Sequence, residues 1–281
     1  MFPVLFHLGH FAIPTYGVFT AAALLAALAV SVQMAERLGL RSEKIWNLGL
    51  IAILATLLGA RLLLVATNLQ AFRAEPFWLL GLANIPGTWV PLGGVAIGAA
   101  AALLYALAEG LPLRRTADVL APAAALGFAI NRIGAFCGGA AWGTWTQLPW
   151  GVTYRDVVAY LWYRTPMRER LQPVQLYDAG LSLVLLGLLL LMIRRRPRAG
   201  EVAGTWLFLY GVGRFFLEFL RGDTAGERLL GGALTFGQGL AFVAVVAGGV
   251  LWMVKQAAGS RQQATGNRGR EQGISSCRSR R

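Results

Sequence analysis

Long intervals without a charged side chain dominate this 281-residue sequence and leave few folds open to it. From Met1 through Ala35 there is no Asp, Glu, Lys or Arg. A helix needs about 20 mostly apolar residues to cross a bilayer. Stretches of that length lie near residues 14–34, 45–66, 89–108, 118–137, 173–193, 202–220 and 234–254. The expected fold is all-α, a polytopic membrane protein with seven transmembrane helices. Composition points the same way, because 14% charged residues falls well below the roughly 25% of soluble domains.

Several chemistries are excluded by counting. Cys137 and Cys277 are too few and too far apart for a disulfide framework or a sulfur-ligated metal. The two histidines, His7 and His10, form no zinc-binding helix pattern, so no metal and no cofactor are expected. No phosphate-cradling glycine loop is present. A removable signal peptide is not expected, since residues 1–10 carry no basic flank and the apolar stretch behind them is of spanning length. The 35 glycines read mainly as small residues that let membrane helices approach.

The formal charge of +13 first looks like a nucleic-acid signal, and position along the chain removes that reading. Of 26 Lys and Arg, sixteen fall in the loops 35–44, 109–117 and 194–198 and in the tail from Lys255. Seven fall in the alternate loops, and Arg61, Arg132 and Arg214 lie inside spans. Basic loops mark the cytoplasmic face. The N-terminus is therefore expected outside and the C-terminus in the cytoplasm. Residues 1–255 form the membrane domain, with an outward loop at 138–172, and residues 256–281 form a disordered basic tail. The outward loop contains Trp142, Trp145, Trp150, Tyr154, Tyr160, Trp162 and Tyr163, side chains that favour the headgroup layer.

The three arginines inside spans carry the functional information. A charge at mid-bilayer costs at least ~2.5–3.5 kcal/mol unless it is paired or hydrated. Arg61 stands about one turn from the end of its span and can reach the interface. Tyr210, Arg214 and Glu218 follow at steps of four, which stacks them on one helical face, and Arg221 continues that face outward. One reading is an Arg214–Glu218 pair that pins helix packing. Another is a site for an anionic group such as a phospholipid headgroup, since the guanidinium fork suits phosphate. An anion transporter using the same stripe is a third, less favoured reading.

Asn131-Arg-Ile-Gly-Ala-Phe-Cys-Gly-Gly-Ala-Ala-Trp-Gly143 resembles the signature segment of the prolipoprotein diacylglyceryl transferases, Gly-Arg-x-Gly-Asn-Phe-x-Asn-Gly-Glu-x-x-Gly. Further pieces follow in that family's order: Tyr16-Gly17, Gly59-Ala60-Arg61, Gly93-Gly94, Gln172-Pro-Val-Gln-Leu-Tyr-Asp178 and Tyr210-Gly-x-x-Arg214-x-x-x-Glu218. The resemblance covers roughly residues 10–255. It implies transfer of the diacylglyceryl group from phosphatidylglycerol to the lipobox cysteine thiol of prolipoproteins, the first step of bacterial lipoprotein maturation, with release of glycerol phosphate. It further implies that Arg132, Arg214 and Glu218 are catalytic and that Tyr16, Arg61, Gly93, Gly94, Gly143 and Tyr210 bind substrate. The implied partners are phosphatidylglycerol, membrane lipid and prolipoprotein signal peptides, with no nucleic acid. The implied setting is a monomer in the bacterial cytoplasmic (inner) membrane.

The sequence departs from the family pattern at several positions. Leu92 stands where the family has His before the paired glycines, Gln172 replaces the His that opens the fifth-span motif, and Asn131, Ala135, Gly138 and Ala140 replace signature Gly, Asn, Asn and Glu. His7 or His10 offers an alternative imidazole. Cys137 reads as a small apolar helix residue, because the family's thiol comes from the substrate. A catalytically impaired or repurposed lipid-binding paralogue is therefore the alternative expectation.

Overall fold

The computed structural model describes residues 2–8, 11–74, 89–223, 228–229 and 234–253. His10, most of the 67–88 loop and the basic tail lie outside these residues. The chain opens with an antiparallel hairpin, β1 (Val4–Leu8) and β2 (Phe11–Pro14), in which His7 pairs with Ala12. Pro14 ends the hairpin and fixes the turn into α1 (Thr15–Arg37). The long helices that follow are α2 (Ser42–Thr67), α4 (Trp89–Ala108), α5 (Leu113–Gly138), α7 (Val174–Arg194), α8 (Glu201–Glu218) and α9 (Phe236–Met253). Between them stand the short helices α3 (Leu69–Ala74) and α6 (Val157–Tyr163) and the two-residue strands β3 (Val152–Thr153), β4 (Arg170–Leu171), β5 (Arg228–Leu229) and β6 (Leu234–Thr235).

Six of these helices, α1, α2, α4, α5, α7 and α9, are long and apolar enough to cross a membrane. The chain is a multi-pass membrane protein by this measure. The remaining long helix, α8, coincides with the expected sixth span, and its 18 residues include Glu201, Arg214 and Glu218. The outer faces of the bundle suit lipid: Leu62 is 69% exposed and Val184 71%, a pattern that would be costly in water.

α5 is the hub, packing on α1, α7 and α8, while α2 joins the bundle through α1 and carries α4 on its far side. A tight core occupies one end of the bundle, where Met34, Ile45, Ala106, Val119, Leu189 and Val202 from six helices meet. At this end Asp118 of α5 is buried and its carboxylate accepts hydrogen bonds from Gly200 N (2.6 Å) and Ala203 N (2.9 Å), which caps the start of α8 from a neighbouring helix. Gly200 has φ of +89°, a conformation that glycine adopts without strain. Asp118→Ala leaves both amides without this acceptor, and the expected cost is about 1–3 kcal/mol. Thermal unfolding in detergent should show a lower Tm, and an unchanged Tm would contradict the cap.

Candidate functional site

The opposite end of the bundle gathers charge. Arg132 comes from the last two turns of α5, Asp178 from the second turn of α7, and Arg214 and Glu218 from the final turns of α8. Arg132 Nε lies 2.7 Å from Asp178 Oδ2, and Arg214 Nε lies 3.8 Å from the same oxygen. Arg214 Nη2 reaches Glu218 Oε2 at 2.7 Å, and Arg221 Nη1 reaches it at 3.3 Å. Arg221 is also held by Asp223, through Nη2 at 2.8 Å and Nε at 2.9 Å. Burial opposes the Arg221 charge, and Asp223 with Glu218 more than offset it, leaving its pKa above the ordinary arginine value.

Three guanidiniums thus interlock with three carboxylates. The network is electrically balanced, which removes most of the cost of bringing its members into the bilayer. It is not fully satisfied. Among the described residues Asp178 Oδ1 and Arg214 Nη1 are buried without a hydrogen-bond partner. Both side chains line a cavity of about 10 Å³ shared with Arg132, Arg221, Gln175, Val174 and Ala141, space for about one water.

A roof of extended chain closes this end. Gly143 forms a β-bridge with Arg221, Thr144 N donates to Leu220 O (2.8 Å), Gly222 N to Trp142 O (3.0 Å) and Gln172 N to Thr144 O (2.9 Å). Gly143 has no room for a Cβ, which would collide with the Gln172 carbonyl and Val174. Beneath the roof, Gln175 Nε2 donates to Ala140 O (2.8 Å) and to the Tyr154 hydroxyl (3.2 Å). Burial pushes the Tyr154 pKa up to about 12, with the Gln175 contact opposing it in part, so the phenol stays neutral across the ordinary pH range.

The sequence-derived candidates divide into two groups. Arg132, Arg214 and Glu218 meet in the network, Tyr210 faces Arg132 while stacking on Trp206 (5.7 Å), and Gly143 belongs to the roof. Tyr16 stands beside them, its hydroxyl 3.5 Å from Asn131 Oδ1 and its ring edge-on to Tyr163. Arg61, Gly93 and Gly94 instead belong to the α2–α4 pair, where Gly93 meets Leu63 and Gly94 meets Ala60. Among the described residues, the close neighbours of Gly93 and Gly94 are Leu63, Ala60 and Thr56, outside the charged network. The departures Ala135, Gly138 and Ala140 are buried small residues, with Gly138 against Tyr16. Asp178, Gln175, Asp223 and Thr235, which gives its hydroxyl to Glu218 at 3.1 Å, were not among the candidates. The one available signal was Asp178, an acid about one turn into an apolar span.

The aromatic residues of segment 138–172 also separate. Trp145, Trp150 and Tyr160 are exposed, whereas Tyr154 is buried and Trp142 packs on Gly222 and donates to Tyr163 O (3.3 Å).

Comparison with known proteins places this arrangement in context. A family model described as prolipoprotein diacylglyceryl transferase matches residues 3–254. Among curated proteins named phosphatidylglycerol–prolipoprotein diacylglyceryl transferase, one from Clostridium tetani is 30% identical over 227 residues, covering 81% of this chain and 88% of its own. Another from Synechococcus elongatus is 31% identical over 268 residues, covering 89% and 87%. A third, from Vibrio vulnificus, is 30% identical over 260 residues, covering 90% and 92%.

Proposed function

Because the chain belongs to the prolipoprotein diacylglyceryl transferase family, we propose that it moves the diacylglyceryl group of phosphatidylglycerol onto the lipobox cysteine of a prolipoprotein and that its charged network holds the phosphate. The observation that carries the placement is the convergence of Arg132, Arg214 and Arg221 on one cavity. In the reaction the cysteine sulfur forms a bond to the glyceryl carbon that carries the phosphate ester. The carbon–oxygen bond breaks, glycerol phosphate departs with the bonding pair, and the thiol proton passes to solvent. The phosphate begins with one negative charge and leaves with a second developing. The guanidinium forks of Arg214 and Arg221, fixed by Glu218, meet that charge without reorganising water. Glu218 orients Arg214 and Arg221, and Tyr16 and Tyr210 offer hydroxyls to the headgroup.

The lipid-binding alternative is not favoured, since relatives named as transferases run along nearly the whole chain. The full chain, reconstituted in phosphatidylglycerol vesicles with a lipobox peptide, should release glycerol phosphate in step with thioether formation. Retention of the lipid without release would overturn the transfer and favour the alternative.

The reading includes a seven-span monomer in the cytoplasmic (inner) membrane, with α8 completing the set, residues 1–255 as the membrane domain and 256–281 as a cytoplasmic tail. Pairing of Arg214 with Glu218 within α8 supports its insertion. A C-terminal fluorescent-protein fusion should be bright and an alkaline phosphatase fusion inactive; the reverse pattern would overturn this orientation.

A further inference from the structure

Asp178 is the meeting point of the network. Its Oδ2 is shared by Arg132 of α5 at 2.7 Å and Arg214 of α8 at 3.8 Å, while Oδ1 has no hydrogen-bond partner among the described residues. The side chain is 3% exposed, so this spare oxygen is withheld from solvent. Arg214 Nη1, also unpartnered, borders the same cavity, whose volume of about 10 Å³ is space for about one water. A phosphate that bridges both arginines where Asp178 Oδ2 now lies competes with the carboxylate for the same contacts.

We propose that Asp178 is a resident stand-in for the ligand phosphate, exchanged for it on binding; this rests on the reading of the network as the phosphate site. Two guanidiniums on separate helices repel one another, and an anion between them keeps both in place while no lipid is bound. When a phosphate enters, Arg132 and Arg214 transfer their contacts to its oxygens and the carboxylate turns aside. Carboxylate and phosphate then stand close together with like charge. That repulsion weakens retention of the doubly charged glycerol phosphate and favours its release. Asp178 in this role is a positioning residue acting through the two arginines, and it limits affinity in order to speed turnover.

The test uses the full-length protein in micelles free of phosphatidylglycerol, with glycerol phosphate as the probe. Asp178→Asn keeps the side-chain shape and removes the competing charge, and it should bind the probe about tenfold more tightly than the native protein. In vesicles the same variant should show a lower KM for phosphatidylglycerol together with a lower kcat. Asp178→Glu, which keeps the anion, should restore native affinity for the probe. Equal or weaker binding by folded D178N would overturn the exchange. Should D178N be too unstable to titrate, the Tm of Asp178→Ala should rise on adding glycerol phosphate by more than the native protein's does, and an equal or smaller rise would likewise overturn it. Arg132→Lys and Arg214→Lys separate the two levels. If they weaken probe binding while D178N fails to tighten it, only the exchange is lost. If neither weakens it, the phosphate-site reading itself fails.

Discussion

Arg214→Lys is expected to lower the rate of diacylglyceryl transfer by about 10²–10³-fold, the loss that follows removal of one preorganised donor from a site of developing negative charge. Arg214 spans two carboxylates, with Nη2 on Glu218 and Nε toward Asp178, and it still has Nη1 at the cavity wall. A lysine keeps the charge and concentrates it at a single nitrogen, so it cannot hold Glu218 and present a donor to phosphate at once. The network retains its charge balance, so stability should suffer less than activity. Measuring kcat/KM in phosphatidylglycerol vesicles beside the Tm separates the two effects. Activity within tenfold of the native protein would show that the fork geometry is not used.

Glu218→Ala should act first on stability. Its carboxylate is wholly buried and serves Arg214, Arg221 and the Thr235 hydroxyl together. Deleting it leaves buried guanidinium charge without its partner, a change that costs about 3–5 kcal/mol, against a total stability on the order of 5–15 kcal/mol for a folded protein. It also unties the end of α8 from the start of α9, because Thr235 immediately precedes that helix and Gly237 packs directly on the carboxylate. The expected result is a strongly lowered Tm and little protein recovered from membranes. Glu218→Gln, which keeps the packing and the Thr235 contact, should fall between the two. A Tm for the alanine variant close to the native value would contradict the account.

Much of this architecture is legible from local pattern alone. The seven expected spans coincide with helices, six of them long and apolar enough to cross a membrane, because the signal, a mostly apolar interval of spanning length, is a property of consecutive residues. Arg132, Arg214 and Glu218 are conspicuous because bilayers penalise charge, and the spacing of Tyr210, Arg214 and Glu218 specifies one face of a helix. What sequence cannot convey is which faces of separate helices meet. Asp178 was visible as the last letter of a motif and as an acid inside an apolar span, and its importance comes from α7 being wedged beside α5 and α8. The same limit applies to Gly93 and Gly94, whose order along the chain matches the site residues while their helices form the α2–α4 pair. The roof was equally hidden. It is made by backbone hydrogen bonds between segments 142–144 and 220–222, which leave no trace in side-chain chemistry.

The Asp118 cap has a bearing on the distant network. α5 grips α8 twice, through Asp118 on Gly200 and Ala203, and through Arg132 on Tyr210, with Asp178 linking Arg132 to Arg214. Along α5 the two grips are about 21 Å apart, and along α8 Ala203 and Arg214 are about 16 Å apart. Two helices keyed together at both ends share one axial register, so neither can slide or rotate past the other by a fraction of a turn. The height of Arg214 relative to Arg132 is thereby gauged from the far side of the bundle, and the spacing of the two guanidiniums becomes a length measured out by helix geometry.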